Sequence, residues 1–67
     1  MKYKIYCADH LDKVSSDLMV MRLGFSFDPK QWCLITDDIK ERSDEYYNLI
    51  HRIATKYPII SIIRMKD

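Results

Sequence analysis

The residues able to act as nucleophiles, metal ligands or acid–base groups are few in this chain and widely spaced. Cys7 and Cys33 stand 26 positions apart, outside any C-x-x-C or Cys/His spacing that holds a metal. His10 and His51 are scattered as well, so neither a metal nor another cofactor is expected. Cys7 and His10 fall near each other at the end of a first strand, a placement that suggests a Cys–His pair. Strand alternation turns the Cys7 thiol inward, however, where a thiol is inert. Asp37-Asp38 supplies adjacent carboxylates, but acids just ahead of a helical pattern serve as N-caps. With one glycine, Gly24, the chain has no loop to cradle a phosphate. Recognition is the chemistry that remains, and the chain reads as non-catalytic.

Sixty-seven residues make one domain, 1–67. A chain of this size buries only about 60% of the surface its unfolded form exposes, so an apolar core, or a partner, must supply stability. Eleven basic and ten acidic residues leave a net charge of +1. That balance gives no strong pull toward nucleic acid or an anionic membrane. Met1–Ile5 does not read as a signal peptide, and the longest apolar run, Ile59–Ile63, is far short of the ~20 residues that span a bilayer. The expectation is a cytoplasmic protein with free thiols.

Elements must position whatever surface does the recognising. Lys2–Cys7 alternates as a strand, with Tyr3, Ile5 and Cys7 on one face and Lys2, Lys4 and Tyr6 on the other. Asp9 is expected to cap a helix whose stripe is Leu11, Val14, Leu18 and Met21, widened by Val20 and Leu23 with Met19 at its margin. A start at Ser16 is the alternative. Gly24 sits where a left-handed helix terminator belongs. A hairpin follows, with Pro29-Lys30 at its tip, Phe27 facing Trp32 and Phe25 facing Leu34; a one-residue bulge would shift that register. Asp38 with Glu41 reads as the capping box of a second helix. Its stripe is Ile39, Tyr46, Ile50, Ile53 and Tyr57, broadened by Leu49 and Ala54, and Pro58 stops it. Ile59–Met65 is the last strand, apolar on both faces.

The order β-α-β-β-α-β predicts an α+β fold, the ferredoxin-like split βαβ arrangement. In it an antiparallel sheet of order 4-1-3-2 carries two helices on one face. Cys7 then points inward and Cys33 outward, so they cannot pair. The helix-free face would carry Lys2, Lys4, Tyr6, Ser26, Cys33 and Ile35, together with Ile63 and Met65 from the last strand. These are the candidate partner-binding residues, because an exposed apolar patch commonly marks an interaction site.

The run Gly24-Phe25-Ser26-Phe27-Asp28-Pro29, followed by Trp32, resembles a GF-x-aromatic-D-P…W helix-to-hairpin pattern of small bacterial and phage modules. Some of those are appended to nucleic-acid enzymes, and the loop before Trp32 is shorter here than is usual in them. The layout also resembles RNA-recognition motifs, but their aromatic signature is missing from Trp32–Thr36. It resembles acylphosphatases in layout alone, since Ala8–Leu11 stands where their phosphate loop would be. In size and lack of active-site residues the chain resembles phage-encoded inhibitors of host proteins. The expectation is a module that binds another protein, or a second copy of itself, through the open face or an edge strand. The alternative is a weak RNA or single-stranded DNA binder using Tyr6, Lys2, Lys4 and Arg64.

Overall fold

Period-two alternation at the start of the chain produces strand β1, Tyr3–Tyr6, with Tyr3 and Ile5 buried and Lys4 and Tyr6 half-buried on the reverse side. The computed structural model describes residues 1–57 and 60–65. Cys7 leads into a 3₁₀ turn, Ala8–His10, which continues as helix α1, Leu11–Val20. Asp9 does not cap α1: His10 holds the N-cap position, and no side chain bonds to the free amides. The tight turn takes that role, since the His10 N–H donates to the Cys7 carbonyl at 2.8 Å. α1 buries Val14, Asp17 and Leu18, whereas Met19 and Val20 are exposed and lie outside the stripe assigned to them.

α1 ends at Arg22, not at Gly24. Arg22 has φ 60°, its N–H donates to the Met19 carbonyl, and the Leu23 N–H donates to that of Leu18. This pair of bonds is a Schellman motif, with buried Leu23 packing back toward Leu18. Gly24 has no positive φ. It is a glycine because a Cβ there would collide with the Asp37 carboxylate across the hairpin, where the Asp37 N–H donates to the Gly24 carbonyl at 2.9 Å.

The hairpin strands are β2, Phe25–Asp28, and β3, Cys33–Thr36. Their register places Phe27 opposite Leu34 and Phe25 opposite Thr36, two residues away from the pairing read in the sequence. The loop is therefore residues 29–32, and Trp32 has left the strand. A two-residue type I turn would splay the strands; the longer loop avoids this by closing on Trp32 in the left-handed region, φ 54°. Asp28 Oδ1 organises its start by accepting from the Lys30 and Gln31 amides at 2.9 and 3.4 Å. Because the shift is an even number of residues, Phe25, Phe27 and Leu34 still share the helix side of the sheet. Trp32, expected to face Phe27 from the paired strand, is instead 54% exposed in the loop and packs edge-on to Phe27 at 5.1 Å between centroids.

Helix α2 is shorter than the sequence suggested. Residues 37–43 are irregular, and α2 spans Asp44–Leu49 with Ser43 as its N-cap, its Oγ accepting from the Tyr46 amide at 3.2 Å. Asp44 and Glu45 in the first turn suit the helix dipole. Asp38 instead lies 2.9 Å from the Met1 amine, and Glu41 reaches Arg64 at 2.7 Å. Ile39 is buried from the loop rather than from the helix. A π-helical turn, Ile50–Ala54, continues α2. An uninterrupted α-helix would rotate Tyr57 by ~80° relative to Leu49; the wide turn takes up that drift and keeps Leu49, Ile53 and Tyr57 all in the core. Ile50 and Ala54, expected in the stripe, fall to its margin and outside it. The stop at Pro58 and the first residue of the expected last strand, Ile59, lie outside the described residues.

Strand β4, Ser61–Arg64, completes an antiparallel sheet of order β2-β3-β1-β4, which is 4-1-3-2 read from the β4 edge. The fold is α+β, with two helices against one face of an open four-stranded sheet. Its core joins Tyr3, Ile5, Leu34 and Ile39 to Val14, Leu18, Leu49 and Ile53. At its far end the β1–β3 ladder is broken, and the Tyr3 amide donates to the buried Thr36 Oγ1 at 3.1 Å in place of a carbonyl. Pairing resumes one residue out of step, where Met1 and Ile39 exchange backbone bonds of 2.9 and 2.8 Å. The Thr36 hydroxyl thus prevents a bulge from stranding a buried amide.

Candidate interaction surface

Strand register fixes what the helix-free face displays. Lys4 stands opposite Ile35 on one side and Ile63 on the other, and Ile35 stands opposite Ser26. Ser26, Ile35, Lys4 and Ile63 therefore form one row across all four strands, on one side of the pleat. The next row holds Tyr6 opposite Ser61 and Asp28 opposite Cys33. Lys2 and Met65 make a further row, joined by the Met65 N–H donating to the Lys2 carbonyl at 2.9 Å. Period two thus brings Lys2, Lys4, Tyr6, Ser26, Cys33, Ile35, Ile63 and Met65 to the same face.

They are not equally accessible. Lys2, Ser26 and Ile63 are exposed, and Lys4, Tyr6, Ile35 and Met65 are half-buried. Cys33 is fully buried and presents no surface to a partner. On the same face the hairpin loop sends Gln31 across to β1, where its Oε1 accepts from Lys4 Nζ at 2.9 Å and from the Tyr6 hydroxyl at 3.0 Å. Burial pushes the Cys33 thiol up, the Asp28 charge adds to this, and Lys4 opposes it. Arg64 is not on this face. It stands opposite Tyr3, on the helix side, and its guanidinium is bound to Glu41. The cationic set read for a nucleic-acid site therefore loses Arg64, and Lys4 and Tyr6 are engaged with Gln31.

The strongest polar cluster lies elsewhere and escaped the sequence reading. Asp17, 6% exposed, points from α1 toward the second helix. Its carboxylate accepts from the Tyr57 hydroxyl at 2.9 Å and from Lys56 Nζ at 3.1 Å, with Arg52 Nε at 3.6 Å. Burial alone would raise its pKa, but the hydrogen bonds from Lys56 and Tyr57 and the two nearby cations outweigh burial and hold it below the usual range. Tyr57 is pushed up, by burial first and then by Asp17. A signal was present: Asp17 is three residues after Val14 and four before Met21, inside the apolar stripe. A carboxylate there requires a cation from the facing helix, and Arg52 and Lys56 supply it.

Cys7 is buried and its thiol is raised by burial, while the His10 ring packs against Tyr57 at 5.2 Å. Both cysteines are free and lie on opposite faces of the sheet. Among the described residues no group of three His, Cys, Asp or Glu side chains could hold a metal ion, and no helix is long and apolar enough to cross a membrane. Set beside known proteins, this chain matches no family model, no curated protein and no solved structure.

Proposed function

We propose that this chain is a small non-catalytic interaction module that docks another protein on the helix-free face of its sheet. The observation that carries this reading is the row Ser26, Ile35, Lys4 and Ile63, which crosses all four strands and is flanked by Lys2 and Met65. Apolar side chains there, Ile35 and Met65 half-buried and Ile63 exposed, lie on either side of Lys4 of the central strand β1 and the adjoining Lys2, a mixture of apolar and cationic groups that a protein partner can cover. We read the architecture as the ferredoxin-like split βαβ, on the grounds of the β-α-β-β-α-β order and the sheet order 4-1-3-2. A cytoplasmic inhibitor or adaptor of the phage type fits the size, the free thiols and the balanced charge.

The test replaces residues of this face away from β4. Lys2→Glu with Ile35→Glu reverses the charge of the surface, and a glutamate at 35 has Lys4 beside it, so the sheet tolerates the change. Affinity capture with the wild-type and doubly substituted chains is compared in the same lysate. Loss of the wild-type partners from the double variant, with an unchanged circular dichroism spectrum, supports the reading. An identical partner set overturns it, and retention of single-stranded nucleic acid in a salt-sensitive manner directs the face to that ligand instead.

A further inference from the structure

Where the end of α1 meets the second helix, an open cavity of about 620 Å³ separates them. That volume is within the range of small-molecule sites. Half-buried Met21 and buried Leu23 supply its apolar wall from the α1 end. The second helix supplies a polar wall, with Asn48, Arg52 and Lys56 at intervals of four residues and Thr55 beside them. Arg52 lies in the π-helical turn, and Thr55 and Lys56 directly follow it. Wide turns of this kind occur frequently at functional sites.

Charge is unevenly placed along this wall. Arg52 and Lys56 both approach Asp17, at 3.6 and 3.1 Å, and each is about half-exposed while Asp17 is buried behind them. Asp17 stays ionised at neutral pH, because the Lys56 and Tyr57 hydrogen bonds and the two cations hold its carboxyl low. Two cations set against one carboxylate leave one positive charge over, and it faces the cavity. Glu45 is the one carboxylate among the described lining residues. It stands seven residues before Arg52, roughly 10 Å along the helix axis, and no ion pair joins it to Arg52 or Lys56. The guanidinium also has donors to spare. Its Nε edge is turned to Asp17, and among the described residues neither Nη atom has a partner.

We propose that this cavity binds a small organic monocarboxylate, its carboxylate paired with Arg52 and Lys56 and its apolar body laid on Met21 and Leu23. The guanidinium fork matches the two oxygens of a planar carboxylate. One surplus charge balances one carboxylate, whereas a phosphate dianion carries twice that charge. The Met21 and Leu23 wall favours a ligand with an aliphatic or aromatic body over a bare ion. The cavity is on the helix side of the sheet, so the proposal is independent of what docks on the open face.

Sodium benzoate titrated into the ¹⁵N-labelled chain at constant ionic strength tests the proposal, with benzyl alcohol and acetate as controls. Benzoate should shift the amides of residues 21–23 and 48–56 saturably, with a Kd of about 1 mM. Benzyl alcohol has the body without the charge, and acetate the charge without the body. Each should bind at least about tenfold more weakly. Arg52→Gln should weaken benzoate binding at least about tenfold, and Lys56 remains to neutralise Asp17 in that variant. Asn48→Glu sets a carboxylate four residues before Arg52, where it supports the helix and occupies the guanidinium. It should weaken benzoate by a similar factor, whereas Glu45→Gln should not weaken it. Absence of saturable shifts overturns the proposal, as does equal binding of either control. An affinity for benzoate that survives Arg52→Gln or Asn48→Glu overturns it too, as do shifts centred on the open sheet face.

Discussion

Arg22 adopts φ 60° at the end of α1, a conformation that costs a side-chain-bearing residue roughly 1–2 kcal/mol. Leu23 and Leu18, buried on either side of the turn, hold it there. Arg22→Gly relieves that strain and gives back part of the gain as unfolded-chain entropy. A net stabilisation of about 0.5–1 kcal/mol is expected, visible as a rise of a few degrees in Tm. Gly24→Ala has the opposite sign for a different reason. The new methyl meets the Asp37 carboxylate, which is exposed and free to rotate aside, so the cost should be about 1 kcal/mol. Asp37→Ala in the same chain should cancel most of that cost in a double-mutant cycle. Equal losses with and without Asp37 would mean that backbone conformation, not the carboxylate, demands the glycine.

Among the elements, the second helix owes its start to Ser43 and its course to the π-helical turn. Ser43→Ala removes the acceptor for the Tyr46 amide and should cost about 1 kcal/mol in chemical denaturation, whereas Asp38→Ala should leave the helix start unchanged. The capping box read from Asp38 and Glu41 was a fair local pattern, but its acids are claimed by long-range partners: the Met1 amine for Asp38 and Arg64 for Glu41. The hairpin gives the same lesson. Alternation identified which residues of β2 and β3 face the helices. Loop length was decided by the need to match strand twist, and an even shift in register changes no face.

At the scale of the whole molecule, buried titratable groups set the pH range of the fold. Asp17 has a folded pKa below its unfolded value of ~3.9, because Lys56, Tyr57 and Arg52 outweigh its burial. Its contribution is therefore complete above that value and is lost as pH falls through the lower, folded one. Asp17→Asn should destabilise the fold by about 1–2 kcal/mol at neutral pH, and the difference should vanish in strong acid. On the alkaline side the signs reverse. Burial raises Cys7 and Cys33, so the unfolded chain ionises first and stability declines as pH rises past ~8.5. Tyr3 and Tyr57 are likewise raised by burial and add to the decline past ~10. Urea titrations across pH measure both limbs, and a Cys7→Ala, Cys33→Ala chain should postpone the alkaline onset toward the tyrosine range. An onset unmoved in that variant would mean the thiols are not the first groups to resist ionisation.

Residue types and periodicity determined the α+β composition, the number of strands and helices, and which residues share the open sheet face. Those are properties of period two and period 3.6, which neighbours along the chain already impose. Tertiary structure decided the rest. It buried Cys33, sent Gln31 over to β1, moved Trp32 out of the strand, and bound Arg64 to Glu41. It also joined Asp17 to Tyr57, 40 positions away. Each of these depends on which distant group can satisfy a buried charge, a buried amide or an empty volume, and such partners meet only once the sheet and its two helices are assembled.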